Sequence, residues 1–535
     1  VLVLCPKKLW DNWQTFLHNY EDNPLVKDRF NYNVLYHTDL SREKWESNGI
    51  DLSRVNWWNY DLVVIDESHN FRNNPPRKDG VTRYSRLMNE VIKSGVKTKV
   101  LLLSATPVNN KMNDLKNQIA FMTEGVDSKL IDSGIPSIEQ ALRRAQSKFN
   151  EWLKLEENSR NIETLLEMMN FEYFKLLDLL TIARSRKHIE KYYDITAIGK
   201  FPKRLKPLNI KSDIDNKNDF PALKDVNKLI KKLNLSAYSP LKYVKLEKRE
   251  EYNQKYDITV KDGSSIFKQL DREKSLIHLI RVNLLKRMES SINSFTLTLE
   301  KLLGSINLLL EKLEESEDRE IDELNISEIE VDSGEYDDFL IGTKVKVLIK
   351  DIDAVKWRQE LEEDKDKLEQ LHIASKEIDE SRDAKLFDLK NIITNKIKKP
   401  INAGNKKIII FTAFADTASY IYNAVSLWAK NELNVNSAII IGSGSNQTTM
   451  ENCDKDLGSL LTAFSPTSKE RNLINPDQKD EIDILIATDC ISEGQNLQDC
   501  DYLINYDIHW NPVRIIQRFG RVDRIGSTND VIQLV

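Results

Sequence analysis

Glycine and proline are scarce in this sequence, 17 and 14 among 535 residues, which excludes a collagen-like or linker-dominated chain. Cysteine is rarer still. Cys5, Cys453, Cys490 and Cys500 show no CxxC spacing and no accompanying histidine pattern, so neither a disulfide framework nor a zinc site is expected. That usage points to a reducing, cytoplasmic setting. Long apolar runs are missing as well. Stretches such as Val100–Leu103 and Ile408–Phe411 fall far short of the roughly 18 residues that a membrane-spanning helix needs. The opening run Val1-Leu2-Val3-Leu4 has no basic flank and reads as a buried strand, not as a signal peptide.

What is present is ample for folding. Apolar residues make up 40% and charged residues 30%, enough for real cores and too mixed for wholesale disorder. The net charge of -6 argues at first against a nucleic-acid partner. It comes from one stretch, however: residues 311–340 hold 14 acidic and 2 basic residues, and the other 505 residues carry a net of +6. Such a run is ordinarily solvated, so the overall sign excludes no polyanion.

The pattern along the chain changes twice. Over 1–135, short β-rich runs (Val1–Leu4, Leu62–Ile65, Val100–Leu103) alternate with helical stretches, as in a parallel sheet covered by helices. Over 136–385, leucine, glutamate and lysine dominate and apolar residues recur every three or four positions, which predicts helices. From 386 the alternation returns with Ile408–Phe411, Ala438–Ile441, Ile484–Ala487 and Tyr502–Asn505. The expected fold class is α/β, with two parallel-sheet lobes at 1–135 and 386–535 separated by a long, mainly helical insert at 136–385.

Four blocks carry chemistry. In Asp61 to His69, a buried strand ends directly in Asp66-Glu67, at the sheet edge where open α/β folds bind ligands. A strand-end aspartate can hold the magnesium of a nucleotide, and a neighbouring glutamate can deprotonate a water. Read alone, the same residues also fit a plain polar strand end. Val100 to Pro107 ends in Ser104-Ala105-Thr106, whose hydroxyls can reach His69 or the acids. Ile484 to Gln498 runs a strand into a polar loop around Gly494, where backbone can approach a phosphate or sugar closely. Asn511 to Arg524 starts as a capped helix with proline in its first turn. It places Gln517, Arg521 and Arg524 at i, i+4 and i+7, with Val513, Ile515, Ile516 and Phe519 as packing residues. Two guanidiniums on one face suit a polyphosphate, though arginines alone more often form a solvated face.

Together these blocks resemble the superfamily-two helicase-like ATPases, specifically the Swi/Snf-type translocases on double-stranded DNA. Val1 to Pro6 with Trp13 looks like motif Ia, Asp66-Glu67-Ser68-His69 like motif II (a DESH box), Ser104-Ala105-Thr106 like motif III and Ile408 to Thr412 like motif IV. Thr488 to Gln498 looks like motif V and Gln517 to Arg524 like motif VI. Ser492 to Gln498 and Gly520 to Gly526 look most like the bacterial RapA/HepA-like branch. That branch includes an RNA-polymerase-associated ATPase and proteins linked to defence systems, so either is a conceivable partner.

The resemblance implies that the two lobes are RecA-like and that ATP and Mg2+ are cofactors, with Asp66 on the metal and Glu67 activating water. It implies that Arg521 and Arg524 act as arginine fingers across an interdomain cleft. Gln517 and Gly494 contribute to nucleotide binding in this scheme, and His69, Ser104 and Thr106 couple nucleotide state to closure. Pro6, Lys7, Thr412, Thr488 and Asn496 are then nucleic-acid contacts. The basic segment 184–206 holds 8 basic and 2 acidic residues, with Arg184, Arg186 and Lys187 at its start, and fits sequence-independent phosphate contacts. Lys286 to Ser291 with Phe295 reads as a helix that packs the insert onto a lobe, without direct chemistry.

One departure stands out. The family needs a P-loop, GxxxxGK[ST], and the sequence contains none. Motif I lies upstream of motif Ia in such proteins, so a preceding strand, P-loop and helix are expected outside these residues, and the chain alone is expected to be inactive. The function implied is an ATP-dependent DNA translocase that remodels protein–DNA complexes. The alternatives are a strand-separating DNA or RNA helicase and, if no P-loop exists, a non-catalytic DNA-binding or docking module.

Overall fold

Valine, leucine and isoleucine runs of four residues build the first sheet. The computed structural model describes all residues except 18–22, 24, 43–45, 74–80, 106–111, 170, 195–198, 257, 260–265, 268, 315–319, 323–344, 443, 493 and 510. The chain divides into two units, Val1–Asp194 and Ile195–Val535. In the first, strands β1 (Leu2–Cys5), β2 (Asn33–Tyr36), β3 (Leu62–Ile65) and β4 (Lys99–Leu102) form a parallel sheet in the order β2-β1-β3-β4. Along β1 and β3 its two faces are both covered: Leu2, Leu4, Val63 and Ile65 enter one buried cluster, and Val3, Cys5 and Val64 enter another. That is why these strands read as continuous apolar runs instead of alternating ones. Helices α1 (Met112–Met122), α2 (Ile138–Leu153) and α3 (Phe171–Leu180) pack around Leu115, Leu142 and Leu176. Helix α4 (Arg186–Tyr192) ends the unit.

The second unit contains a helical module and a larger sheet. Helices α5 (Leu223–Lys231), α6 (Gln269–Ser290), α7 (Ile292–Lys312) and α8 (Ala354–Lys376) share one core. Leu276, Ile280, Leu284 and Met288 line one stripe of α6 at four-residue intervals, the helical repeat that faces a neighbour. Trp357 of α8 is buried, stacks on Tyr243 at 5.4 Å and donates its indole N–H to the Ser236 carbonyl at 3.0 Å.

The module is followed by α9 (Ala384–Lys398), capped by the Asp383 carboxylate, which accepts from the Leu386 amide. A two-residue strand β5 (Lys203–Arg204) precedes the module in the chain. After α9 come β6 (Ile408–Phe411), α10 (Ala415–Leu433), β7 (Asn436–Ile440), β8 (Gln447–Thr448), α11 (Leu457–Phe464), β9 (Ile482–Ala487), β10 (Tyr502–Asn505), α12 (Pro512–Phe519) and β11 (Val531–Leu534). The sheet order is β8-β7-β9-β6-β10-β11-β5, and only β8 runs antiparallel to its neighbour. Ile408 and Ile410 face the α9–α10 side, whereas Ile409 and Phe411 face the α11 side.

The α/β class with parallel sheets and a long helical region is as the sequence predicts. The stretch expected as a single insert, 136–385, spans both units, because α2, α3 and α4 pack with the first sheet's unit and α5 to α8 belong to the second. Most of the acidic run 311–340 lies outside the described residues.

A polar joint fixes the module to the second sheet. Arg287, 1% exposed, donates to Asp416 at 2.9 Å and lies 4.5 Å over the Phe414 ring. Ser290 donates to Asp507 at 2.6 Å, and the Ser290 and Ser294 hydroxyls meet that of Thr417 at 2.8 and 2.7 Å. Lys385 reaches back to the Glu289 and Ser290 carbonyls at 2.6 and 2.9 Å, and burial pushes its ammonium below the usual lysine range. No helix among the described residues is long and apolar enough to cross a membrane.

Candidate active site

In the first unit the acid pair stands at the C-terminal end of β3. The Asp66 amide donates to the Leu4 carbonyl and the Ser68 amide to the Leu103 carbonyl, so the loop is tied to the strands on either side. One Asp66 carboxylate oxygen accepts from the Trp13 indole at 2.9 Å and the other from the Glu67 amide at 2.9 Å. Each oxygen retains a second lone pair, and a single carboxylate with nucleotide phosphates is a usual magnesium environment, so Asp66 fits the metal expected there. No cluster of three or more His, Cys, Asp or Glu side chains is found among the described residues. Glu67 has φ of 49°, in the left-handed region. A non-glycine residue held there is strained by about 1–3 kcal/mol, and such strain concentrates at functional sites. Its carboxylate lies 3.4 Å from His69 Nδ1, and the same nitrogen lies 3.3 Å from the Ser104 hydroxyl. The geometry thus joins Glu67, His69 and Ser104. Thr106 lies outside the described residues. The Trp13 contact was missed in the sequence, where tryptophan gave no sign that its N–H would face an acid.

In the second unit the arginine segment is shaped differently from the predicted single helix face. Asn511 caps α12 through the Val513 amide at 3.0 Å, as expected. The helix stops at Phe519 with Gly520 as its C-cap, so Arg521 and Arg524 lie in the turn beyond it. Glycine without a side chain favours that stop. Both arginines still fold back on the helix end: Arg521 donates to the Gln517 carbonyl at 3.2 Å and Arg524 to the Gly520 carbonyl at 3.1 Å. Arg521 also reaches the Gln495 carbonyl at 3.4 Å, and Arg524 donates to Asn496. Burial, and next the positive charge of Arg521, push the Arg524 guanidinium down to about 10. Gln517 is buried and accepts from Arg514 at 3.5 Å. Ile516, expected to pack, is 67% exposed.

The loop after β9 runs alongside. Gly494 adopts φ of 73°, which only glycine takes without strain. Thr488 is nearly buried at the end of β9, Asn496 is exposed, and Glu493 lies outside the described residues. Thr412 is fully buried: its hydroxyl donates to Asp507 at 2.6 Å, so it presents no surface within the unit.

Arg518 went unnoticed in the sequence. It is fully buried and grips Asp489 with two N–H donors, at 2.6 and 3.1 Å, adds Asn505 at 3.1 Å and lies 5.4 Å over Phe411. It joins α12 to the loop after β9 and so aligns the two segments that carry Gly494, Asn496, Arg521 and Arg524. Asp489→Ala, which strands a buried charge, is expected to cost about 3–5 kcal/mol of stability. Arg518→Met leaves only a partly exposed carboxylate and costs less; thermal unfolding of both variants checks the order.

Of the remaining predicted contacts, Pro6 is half-buried at the end of β1 and Lys7 is exposed beside it. Arg184 is exposed and donates to the Tyr193 hydroxyl at 3.0 Å, Arg186 pairs with Glu190 at 3.1 Å, and Lys187 is exposed. Tyr192 and Tyr193 are 65% and 49% exposed, so neither is a core residue.

Residues 384–526 match the family described as helicase conserved C-terminal domain. An uncharacterized ATP-dependent helicase, YqhH of Bacillus subtilis, is 53% identical over 51 residues, 10% of this chain and 9% of that protein. The ATP-dependent RNA helicase RhlB of Xanthomonas axonopodis pv. citri is 33% identical over 73 residues, 14% of this chain and 13% of its own length. The aligned stretches thus span about a tenth of the length of these curated relatives. The Pyrococcus furiosus Hef helicase domain aligns over 100% of this chain and 85% of its own at 16% identity, with a TM-score of 0.34, a likeness too loose to carry weight. The chain is thus similar to helicases, with the family match confined to residues 384–526.

Proposed function

We propose that this chain is motor machinery of an ATP-dependent translocase on double-stranded DNA, one that remodels protein–DNA complexes. The observation that carries the reading is the pair of guanidiniums, Arg521 and Arg524, held together at the end of the last helix of a helicase C-terminal domain. Like charges brought this close favour an anion of high charge density. In this reading Asp66 holds the magnesium of ATP, and the ion, when bound, neutralises charge on the phosphates. Glu67 accepts a proton from the attacking water, and His69 and Ser104 keep its carboxylate in place. Arg521 and Arg524 stabilise charge on the transferred phosphoryl group. Gln517 and Gly494 line the nucleotide side.

Nucleic acid then meets Pro6, Lys7, Asn496, the exposed Arg184 and Lys187 and the half-buried Arg186, with Thr488 and Thr412 shaping the loops from beneath. Tyr192 and Tyr193 add exposed rings beside the basic helix. Replacing Lys7 or Lys187 by alanine is expected to lower DNA affinity uniformly across sequences. Each change should reduce the slope of log K against log salt by about 1, measured by fluorescence anisotropy in a salt series.

A second reading, an RNA helicase, is favoured by the RhlB relative, whose name describes ATP-dependent action on RNA. Triplex displacement without strand separation on DNA supports the translocase, and unwinding of an RNA duplex supports the second reading. Binding of DNA with no nucleotide turnover in the full-length protein overturns both in favour of a docking module. Co-purification tests an RNA polymerase or a defence-system protein as partner.

A further inference from the structure

The chain enters its second unit along the arginine loop. Strand β5 adds to the edge of the large sheet beside β11, with Lys203 opposite Val531 and Arg204 opposite Ile532. This places Arg204 beside Asp523, the residue between Val522 and Arg524. Arg204 Nε donates to Asp523 Oδ2 at 2.7 Å and Nη2 lies 2.5 Å from the same oxygen, while the guanidinium lies 5.6 Å over the Phe519 ring. Asp523 is only 4% exposed and Arg204 is 55% exposed. Two more contacts fasten the same segments. The Gly526 amide donates to the Lys200 carbonyl at 3.1 Å, and Gly199 presses so close that a Cβ there falls 2.6 Å from Gly526 Cα. Both glycines have positive φ, 91° and 77°, a backbone conformation that glycine adopts without strain.

Residues 199–204 therefore grip 519–526 at both ends. The turn they hold lies beyond the end of α12, where the Arg521 amide still donates to the Arg518 carbonyl at 3.0 Å and the Asp523 amide to the Phe519 carbonyl at 3.0 Å, so the clamp acts on a turn that only short-range bonds hold. A basic residue in a basic segment is ordinarily read as a phosphate contact. Here the guanidinium is engaged by a nearly buried carboxylate two residues from one arginine and adjacent to the other.

We propose that Arg204 is a positioning residue for the arginine loop: through Asp523 it sets the placement of Arg521 and Arg524 and ties that placement to the segment arriving from the first unit. This regulation rests on the translocase reading for its catalytic consequence, though the clamp itself does not. The substitution Arg204→Ala, on a half-exposed side chain, leaves the sheet core untouched, and Arg204→Lys keeps one ion pair to Asp523.

The test uses the complete protein. Amide hydrogen exchange over 519–526 is expected to quicken in Arg204→Ala and to return toward wild type in Arg204→Lys; this arm needs no enzymatic activity. In an active protein, Arg204→Ala lowers kcat for ATP by about tenfold to a hundredfold, with DNA affinity and its salt slope unchanged, and Arg204→Lys recovers part of the rate. Unchanged exchange with weakened DNA binding overturns the proposal and makes Arg204 a phosphate contact. Faster exchange with undiminished kcat overturns the positioning role. A wild-type protein without ATP turnover defeats the translocase reading while the exchange result still decides the clamp.

Discussion

Arg521→Ala and Arg524→Ala are each expected to lower ATP turnover by about 10³–10⁵, the range over which an arginine finger acts on phosphoryl transfer. The argument is electrostatic. Arg524 is pushed down to about 10 by burial and by Arg521, so the loop stores unfavourable charge that an incoming polyphosphate relieves. Both side chains keep one donor on a backbone carbonyl of the helix end, which restrains them without neutralising them. Lysine at either position keeps the charge and loses the planar fork, so it should recover only part of the rate. Steady-state hydrolysis in the presence of saturating DNA measures this. Full activity in both alanine variants removes the loop from the mechanism.

Glu67→Gln is expected to reduce hydrolysis by about 10²–10⁴ while leaving nucleotide affinity near wild type. The amide matches the carboxylate in size and cannot take a proton. The backbone of Glu67 stays in the left-handed region with either side chain, and the glutamine oxygen can still meet His69 as the carboxylate does. The substitution therefore removes chemistry more than geometry. Single-turnover hydrolysis alongside equilibrium binding of a labelled nucleotide separates the two effects, and undiminished turnover strips Glu67 of the role of base.

The sheets and the acid pair were legible because strands β1, β3, β6, β9 and β10 are buried along nearly their whole length. Such strands write themselves as short unbroken apolar runs, and β3, β6 and β10 were read with their observed ends. Asp66 and Glu67 were visible for the related reason that charge follows such a run without a break. The arginine loop was legible in composition and not in shape. Its spacing fits a helix face, yet Gly520 ends the helix and the arginines are aligned by carbonyls and by neighbouring loops. Strand β5 could not be read at all. Two charged residues at a sheet edge have no apolar alternation, and their partner β11 lies more than three hundred positions away. Arg518 and Thr412 carry the same lesson from the inside: a buried polar side chain looks in sequence like a surface one until its partners, Asp489 and Asp507, are brought to it by the fold.

The joint at Arg287, Ser290 and Ser294 has a mechanical consequence. It is rooted at the break where α6 gives way to α7, and α7 runs on for 21 residues. At 1.5 Å per residue that is an arm of about 31 Å. Pinned through three side chains to Asp416, Thr417 and Asp507, the arm must turn with the sheet that holds it. A tilt of about 10° at the root sweeps its far end through about 5 Å, a travel longer than one step between base pairs in a duplex.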